Sequence, residues 1–213
     1  MPRVAAGVLA MVVLAGCTRV VDDPRPVRAW PVAPITAGQV TDVLSARARP
    51  EAESNLFLTV EPEECAGMAR EVDPPFLFGV GVTPAARGGG QWFAEDNFSI
   101  QEMAAVYPAN FDARRSAGDA RRTIDDCRDK QLTVITTEDN ELSFRSLPAA
   151  ESPSAEIVLW SLTGTKRSCD NAYVAAYNAA IEITACGDRN GYNVSALAEE
   201  ALGRLHALAN MTS

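Results

Sequence analysis

Residues 169–186 read CDNAYVAAYNAAIEITAC, two cysteines bracketing sixteen residues of strand-like composition. One straight strand of that length would hold its ends roughly 50 Å apart at ~3.3 Å per residue, whereas a disulfide needs Cα atoms within about 7 Å. If the cysteines pair, the segment must fold back on itself. Its midpoint falls between Tyr177 and Asn178, and asparagine is a turn residue that tolerates positive φ. The reading is a hairpin of residues 170–176 and 179–185. Counting outward from a two-residue loop sets Ala176 opposite Ala179 as a hydrogen-bonded pair. Alternation of pair types then brings Cys169 opposite Cys186 in a non-hydrogen-bonded pair, the closer kind. The same count puts Ala172, Val174, Ala176, Ala179, Ile181, Ile183 and Ala185 on one face, which is wholly apolar and is expected to meet the core. Asn171, Tyr173, Ala175, Ala180, Glu182 and Thr184 share the other face with the cysteines. Tyr177 is a poor residue for positive φ, so a four-residue loop in the same register stays open. So does a buried helix, because alanine-rich runs also suit helices.

The start of the chain speaks to compartment. Residues 1–16 carry one charge, Arg3, ahead of an apolar run from Val4 to Ala15. That run is too short to span a bilayer and fits a signal-peptide core. It ends in Leu14-Ala15-Gly16-Cys17, which resembles the bacterial lipobox, where a peptidase cuts before the cysteine and the thiol carries diacylglycerol. The expectation is a signal peptide over 1–16, a lipidated Cys17, and anchoring by two acyl chains at the outer face of the cell membrane. Residues 18–34 hold Pro24, Pro26, Pro31 and Pro34, so 17–35 reads as an extended tether and 36–213 as one domain.

The net charge is −9, and removing Arg3 with the leader raises the excess to about ten negative charges. An acidic body does not hold nucleic acid through its phosphates. With Cys17 acylated, Cys65, Cys127, Cys169 and Cys186 remain, an even number that reads as two disulfides in an exported chain.

Along the chain, Thr36 is set to cap a short helix carrying Val40, Val43 and Leu44, and residues 55–60 read as a strand. Glu61, Glu63 and Glu64 open a second short helix around Cys65; the spacing of a calcium-binding EF-hand is absent. Residues 83–91 read as a flexible loop containing Gly88-Gly89-Gly90, a triplet without the Lys-Ser/Thr of a phosphate-binding loop. Residues 98–107 form a strand candidate ended by Pro108. Asn110 is set to cap a helix whose inward stripe is Ala113, Ala117, Ala120, Ile124 and Cys127. Residues 132–135, 142–147 and 155–162 read as strands, with a turn over 137–140. The last helix buries Leu197, Ala198, Ala201, Leu202, Leu205, Leu208 and Ala209 and turns Glu199, Gly203, His206 and Asn210 outward. Two asparagine sequons, at Asn193 and Asn210, are read as chance. Hairpins plus separate helices indicate an α+β fold with an antiparallel sheet.

The chemistry open to this chain is narrow. His206 is the one histidine, which removes zinc sites built on two or three histidines, and no G-x-S-x-G elbow accompanies it. It is expected to be a solvent-exposed residue without a part in function. Paired carboxylates stay open, because acids are plentiful and their spatial pairing is invisible in sequence.

The four-cysteine frame resembles the PknH-like extracellular domain, the sensor part of mycobacterial receptor serine/threonine kinases, which also occurs as stand-alone actinobacterial lipoproteins. The resemblance covers about residues 36–211. It rests on Glu64-Cys65, on strand, proline and helix ending in Cys127, and on Cys169 with the hairpin to Cys186 and a final helix. It implies an antiparallel sheet with flanking helices around a cleft, a ligand site, no catalysis and no cofactor. It also implies Cys65–Cys127 and Cys169–Cys186 as the disulfides; of three connectivities, the hairpin register selects the second and exclusion gives the first. Two departures stand out. The family usually carries Trp three residues before its second cysteine, where this chain has Ile124, and valine-rich strands after the third, where this chain has alanines.

The expected function is a membrane-anchored extracytoplasmic module that binds a small neutral, cationic or lipid-like ligand and is not an enzyme. Having no kinase domain of its own, the chain would signal through an envelope protein partner. Trp92, next to the glycine triplet, is the foremost contact candidate; Trp160 is expected in the core. Two alternatives stand beside this reading: an interaction protein of the cell envelope, which calls for a flat exposed apolar patch, and a carboxylate-dependent hydrolase, which calls for two acids facing each other in a cleft.

Overall fold

The computed structural model describes residues 34–50, 57–137, 139–148 and 150–211. The leader, Cys17 and most of the tether lie outside the described residues, as do part of the 55–60 strand candidate and the end of the Asn210 sequon. No helix among the described residues is long and apolar enough to cross a membrane.

The hairpin sits in the middle of the fold. Strands β7 (Ser168–Ala176) and β8 (Ala179–Gly187) pair from Ala176 opposite Ala179 to Cys169 opposite Cys186, joined by the two-residue turn Tyr177-Asn178. Cys169 and Cys186 are bonded with Cα atoms 4.1 Å apart, and Cys65 and Cys127 with Cα atoms 5.8 Å apart.

Around the hairpin, an eight-stranded antiparallel sheet runs in the order β1-β4-β5-β6-β7-β8-β3-β2. The outer strands are β1 (Phe57–Glu61), β2 (Ala86–Phe93), β3 (Ser99–Val106), β4 (Gln131–Thr136), β5 (Glu141–Ser146) and β6 (Ile157–Gly164). The sheet curls, and residues 66–73 pack against it. There Val72 N donates to Phe57 O (3.0 Å), and Arg70 reaches Gln101 on β3.

Among the described residues, four α-helices flank the sheet. On one face lie α1 (Val40–Val43), against β2, β3 and α4, and α4 (Val194–Met211), packed on the apolar face of the hairpin through Leu197, Ala198, Ala201, Leu205 and Leu208. On the other lie α2 (Pro75–Phe78) and α3 (Ala113–Asp126), whose Ala117, Ala120 and Ile124 are buried as the stripe predicts. Both faces of the hairpin are therefore inside the protein. Phe76 packs edge-on against Trp160 and Tyr173, and Trp160 donates its indole N–H to Met68 O at 2.7 Å. Trp160 and Tyr107 are core residues, each 1 % exposed.

Two local expectations need correction. Residues 86–93 are an edge strand, not a flexible loop, and Gly88-Gly89-Gly90 pair with Ala104, Met103 and Glu102. The glycines serve close approach. Residues 48–50 run against β2, with Arg49 and Gln91 exchanging two backbone hydrogen bonds. A Cβ on Gly90 would meet Arg49 O at 2.9 Å and Ala48 Cβ at 3.0 Å. Trp92-Phe93 accordingly ends this strand. The cap of α3 is Asp112, whose Oδ1 accepts from Arg115 N at 3.0 Å. Asn110 is instead taken up in the turn that Phe111 N closes on Pro108 O.

Candidate functional site

A concavity of about 510 Å³ wraps the tip end of β7. Ala113 and Arg114 from the first turn of α3 line one side, and His206 of α4 lines the other. Ala175 and Ala176 form the floor, Ala155 and Glu156 the lip leading into β6, and Tyr177 the wall at the hairpin tip. Arg121 fixes the lip, donating to Ile157 O at 3.1 Å and Ala155 O at 3.4 Å, and Ala175 N donates to Glu156 O at 3.0 Å.

The size falls within the range of small-ligand sites. The floor offers methyl groups and no side-chain polar atom, while the rim offers one guanidinium, one carboxylate, a phenol and an imidazole. Tyr177 and His206 are joined by a 2.8 Å hydrogen bond between the phenol oxygen and Nδ1, with their rings edge to face at 5.5 Å. His206 is exposed, as its helical position predicts, and it is also part of this wall. Ala113, Ala155 and the pair Ala175-Ala176 come from three separate stretches of the chain, so no motif announces the site; the aromatic residue at the hairpin tip and the lone histidine were its only sequence signals.

A second concavity of about 440 Å³ lies between residues 79–82 and the start of α3, where Asp112, Arg115 and Asp119 make a charged and self-paired lining.

Trp92 lines neither concavity. It is half-buried on edge strand β2, with the Arg47 guanidinium 5.2 Å from its ring centroid. The large apolar side chains exposed among the described residues are Leu58 on β1 and Phe93 on β2, on opposite edges of the sheet, and they do not form one patch.

Two acids do meet, but not in a cleft. Glu182 on β8 is fully buried, Glu71 is 7 % exposed, and Arg70 between β1 and β3 is 1 % exposed. Burial pushes the Glu71 carboxyl up to about 7, against the Gly67 amide that donates to it at 2.9 Å. Burial, reinforced by Glu71 and opposed by Arg70, holds the Glu182 carboxyl well above the usual carboxylate range. Burial also lowers the Arg70 guanidinium to about 10, with Glu182 acting the other way. A buried trio of this kind gives a substrate no access, so it offers no surface for hydrolysis. No cluster of three or more metal-ligating side chains occurs among the described residues.

The model of the PknH-like extracellular domain family matches residues 26–204. The crystal structure of the extracellular domain of PknH from Mycobacterium tuberculosis superposes with a TM-score of 0.64 at 18% identity, covering 84% of this chain and 99% of that one. An uncharacterized protein from Mycobacterium smegmatis matches with a TM-score of 0.33 at 15% identity, over 85% of this chain and 100% of that one. No curated protein matches the sequence.

Proposed function

The chain belongs to the family of PknH-like extracellular domains, and on that premise we propose that it is a membrane-anchored extracytoplasmic sensor module that binds a small ligand in the cleft between α3 and α4. The observation that carries the reading is the cleft itself: an alanine floor with a polar rim of Arg114, Glu156, Tyr177 and His206. Such a slot suits a molecule with an apolar body and a compact polar head. The acidic surface, about ten excess negative charges once the leader is removed, favours a neutral, cationic or lipid-like ligand over a polyanion, because like charges repel at contact across a Debye length of ~8 Å. Lipidation of Cys17 supplies the membrane attachment, and binding is passed to an envelope protein partner rather than used for catalysis. Trp92, outside the cleft, is assigned no contact with this ligand.

Octylamine, octyl glucoside and octanoate share one apolar body and differ in head charge, and calorimetric titration of all three, with heparin as a polyanion, tests the reading. Binding of octylamine or octyl glucoside is expected, and the substitution Ala155→Trp on the exposed lip should abolish it while leaving the circular dichroism spectrum unchanged. Binding that ignores Ala155→Trp, or tight and salt-sensitive binding of heparin, would overturn it.

A further inference from the structure

One two-residue turn touches both the cleft and the beginning of the domain. Tyr177 forms the cleft wall and adopts φ +56° at the first central position of the turn, a place where glycine is usual. A non-glycine residue held in that region stores of order 1–3 kcal/mol and stays there only when its surroundings over-determine it. Two sets of contacts do so. The first is the bond between the Tyr177 phenol and His206 across the cleft. The second belongs to the next residue. Asn178 Oδ1 accepts from Ile35 N at 2.8 Å, and Asn178 Nδ2 donates to Ile35 O at 2.9 Å and to Tyr107 O at 2.7 Å. Its backbone oxygen accepts from Tyr107 N at 2.8 Å.

The Asn178 carboxamide thus closes on both backbone groups of Ile35, like one rung of a strand pair. Ile35 is 2 % exposed and lies where the chain arrives from the tether, just ahead of α1 and the segment over β2. A buried peptide group that loses its partner costs on the order of 1–3 kcal/mol, so the clasp decides whether this first stretch stays docked.

We infer that the Tyr177-Asn178 turn couples the cleft to the clasp on Ile35, so that an occupant displacing the Tyr177 phenol from His206 loosens the docking of the domain's first residues. This rests on reading the cleft as the ligand site. Freed from His206, Tyr177 relaxes from its positive φ, the plane of the following peptide rotates, and the Asn178 carboxamide leaves its geometry on Ile35 and Tyr107. The signal so produced is a change at the end of the domain nearest the membrane tether.

The test needs no ligand, so the coupling and the ligand reading fail separately. Amide hydrogen exchange is measured on the full chain and on Tyr177→Phe, His206→Gln and Asn178→Ala. Tyr177→Phe and His206→Gln each remove the cross-cleft bond from one side. Both are expected to speed exchange at Ile35 and Tyr107 about tenfold while amides of β4 and β5 keep their rates. Asn178→Ala should speed the same two amides further. Wild-type rates at Ile35 in both cleft variants would overturn the coupling, and so would equal acceleration across β4 and β5. An Ile35 amide indifferent to Asn178→Ala would remove the clasp itself.

Discussion

Replacing Glu182 with Gln tests the electrostatics of the core. Neither carboxyl oxygen of Glu182 has a hydrogen-bond partner among the described residues, and the side chain is fully buried between the sheet and residues 66–73. Its folded-state pKa is raised well above the ordinary 4.5, first by burial, then by Glu71. An acid whose pKa is raised on folding binds its proton more tightly in the native state. Native stability is then greatest below the unfolded pKa and falls as pH rises toward the folded one. Above the unfolded value the native state still holds a proton that the unfolded chain has released, and this lowers stability. The penalty grows by at most about 1.4 kcal/mol per pH unit from the unfolded value of 4.5 upward, until the folded value is reached. Glutamine keeps the shape of the neutral acid and carries no such linkage. Glu182→Gln should therefore stabilise the protein at pH 7, with a gain that shrinks toward zero near pH 4.5 at no more than about 1.4 kcal/mol per pH unit. Urea unfolding of both proteins with disulfides intact, at half-unit steps from pH 4.5 to 7.5, reads this directly. Destabilisation at pH 7 would refute the reasoning. It would mean that Glu182 is ionised against Arg70, and that glutamine strands a buried guanidinium.

Glu71, pushed up to about 7, should add a second decline of the same sign between pH 4.5 and 7, absent in Glu71→Gln and visible in the same titrations. Gly90→Ala should cost about 1–3 kcal/mol, because the new methyl group meets the Arg49 backbone; thermal unfolding at wild-type values would show that residues 48–50 are not held against β2. Removing Cys65–Cys127, with a sequence separation of 62, should cost more than removing Cys169–Cys186, with a separation of 17, the chain-entropy difference being about 1 kcal/mol; paired cysteine-to-alanine variants compared in urea check the order. Cys17→Ala should leave the precursor unprocessed or released from the membrane, as fractionation and intact mass would reveal, and unchanged processing with unchanged partition would end the lipidation proposal.

The hairpin was legible because its information is local. A period of two along Ala172, Val174, Ala176, Ala179, Ile181 and Ile183, with cysteines placed symmetrically about Tyr177-Asn178, fixes register and disulfide together. The stripe of α3 and the apolar face of α4 were legible for the same reason, and the even cysteine count carried the remaining bond.

The rest depended on what packs against what. Asn171, Glu182 and Thr184 alternate as solvent-facing residues would, yet α2, α3 and residues 66–73 cover them, and no period within the strand records a lid that comes from elsewhere in the chain. Gly88-Gly89-Gly90 has the composition of a loop and becomes a strand because residues 48–50 and α1 need the space that side chains would fill. Tyr177 resists positive φ by its own preference and is held there by His206, 29 positions away, and through Asn178 by Ile35, which lies 143 positions before that asparagine. The cleft is assembled from four separated segments, and the alanines that three of them contribute carry no signature individually. Sequence periodicity specifies which face of an element is apolar; only the tertiary structure brings distant segments to one point, because that proximity is a property of packing and not of any window of residues.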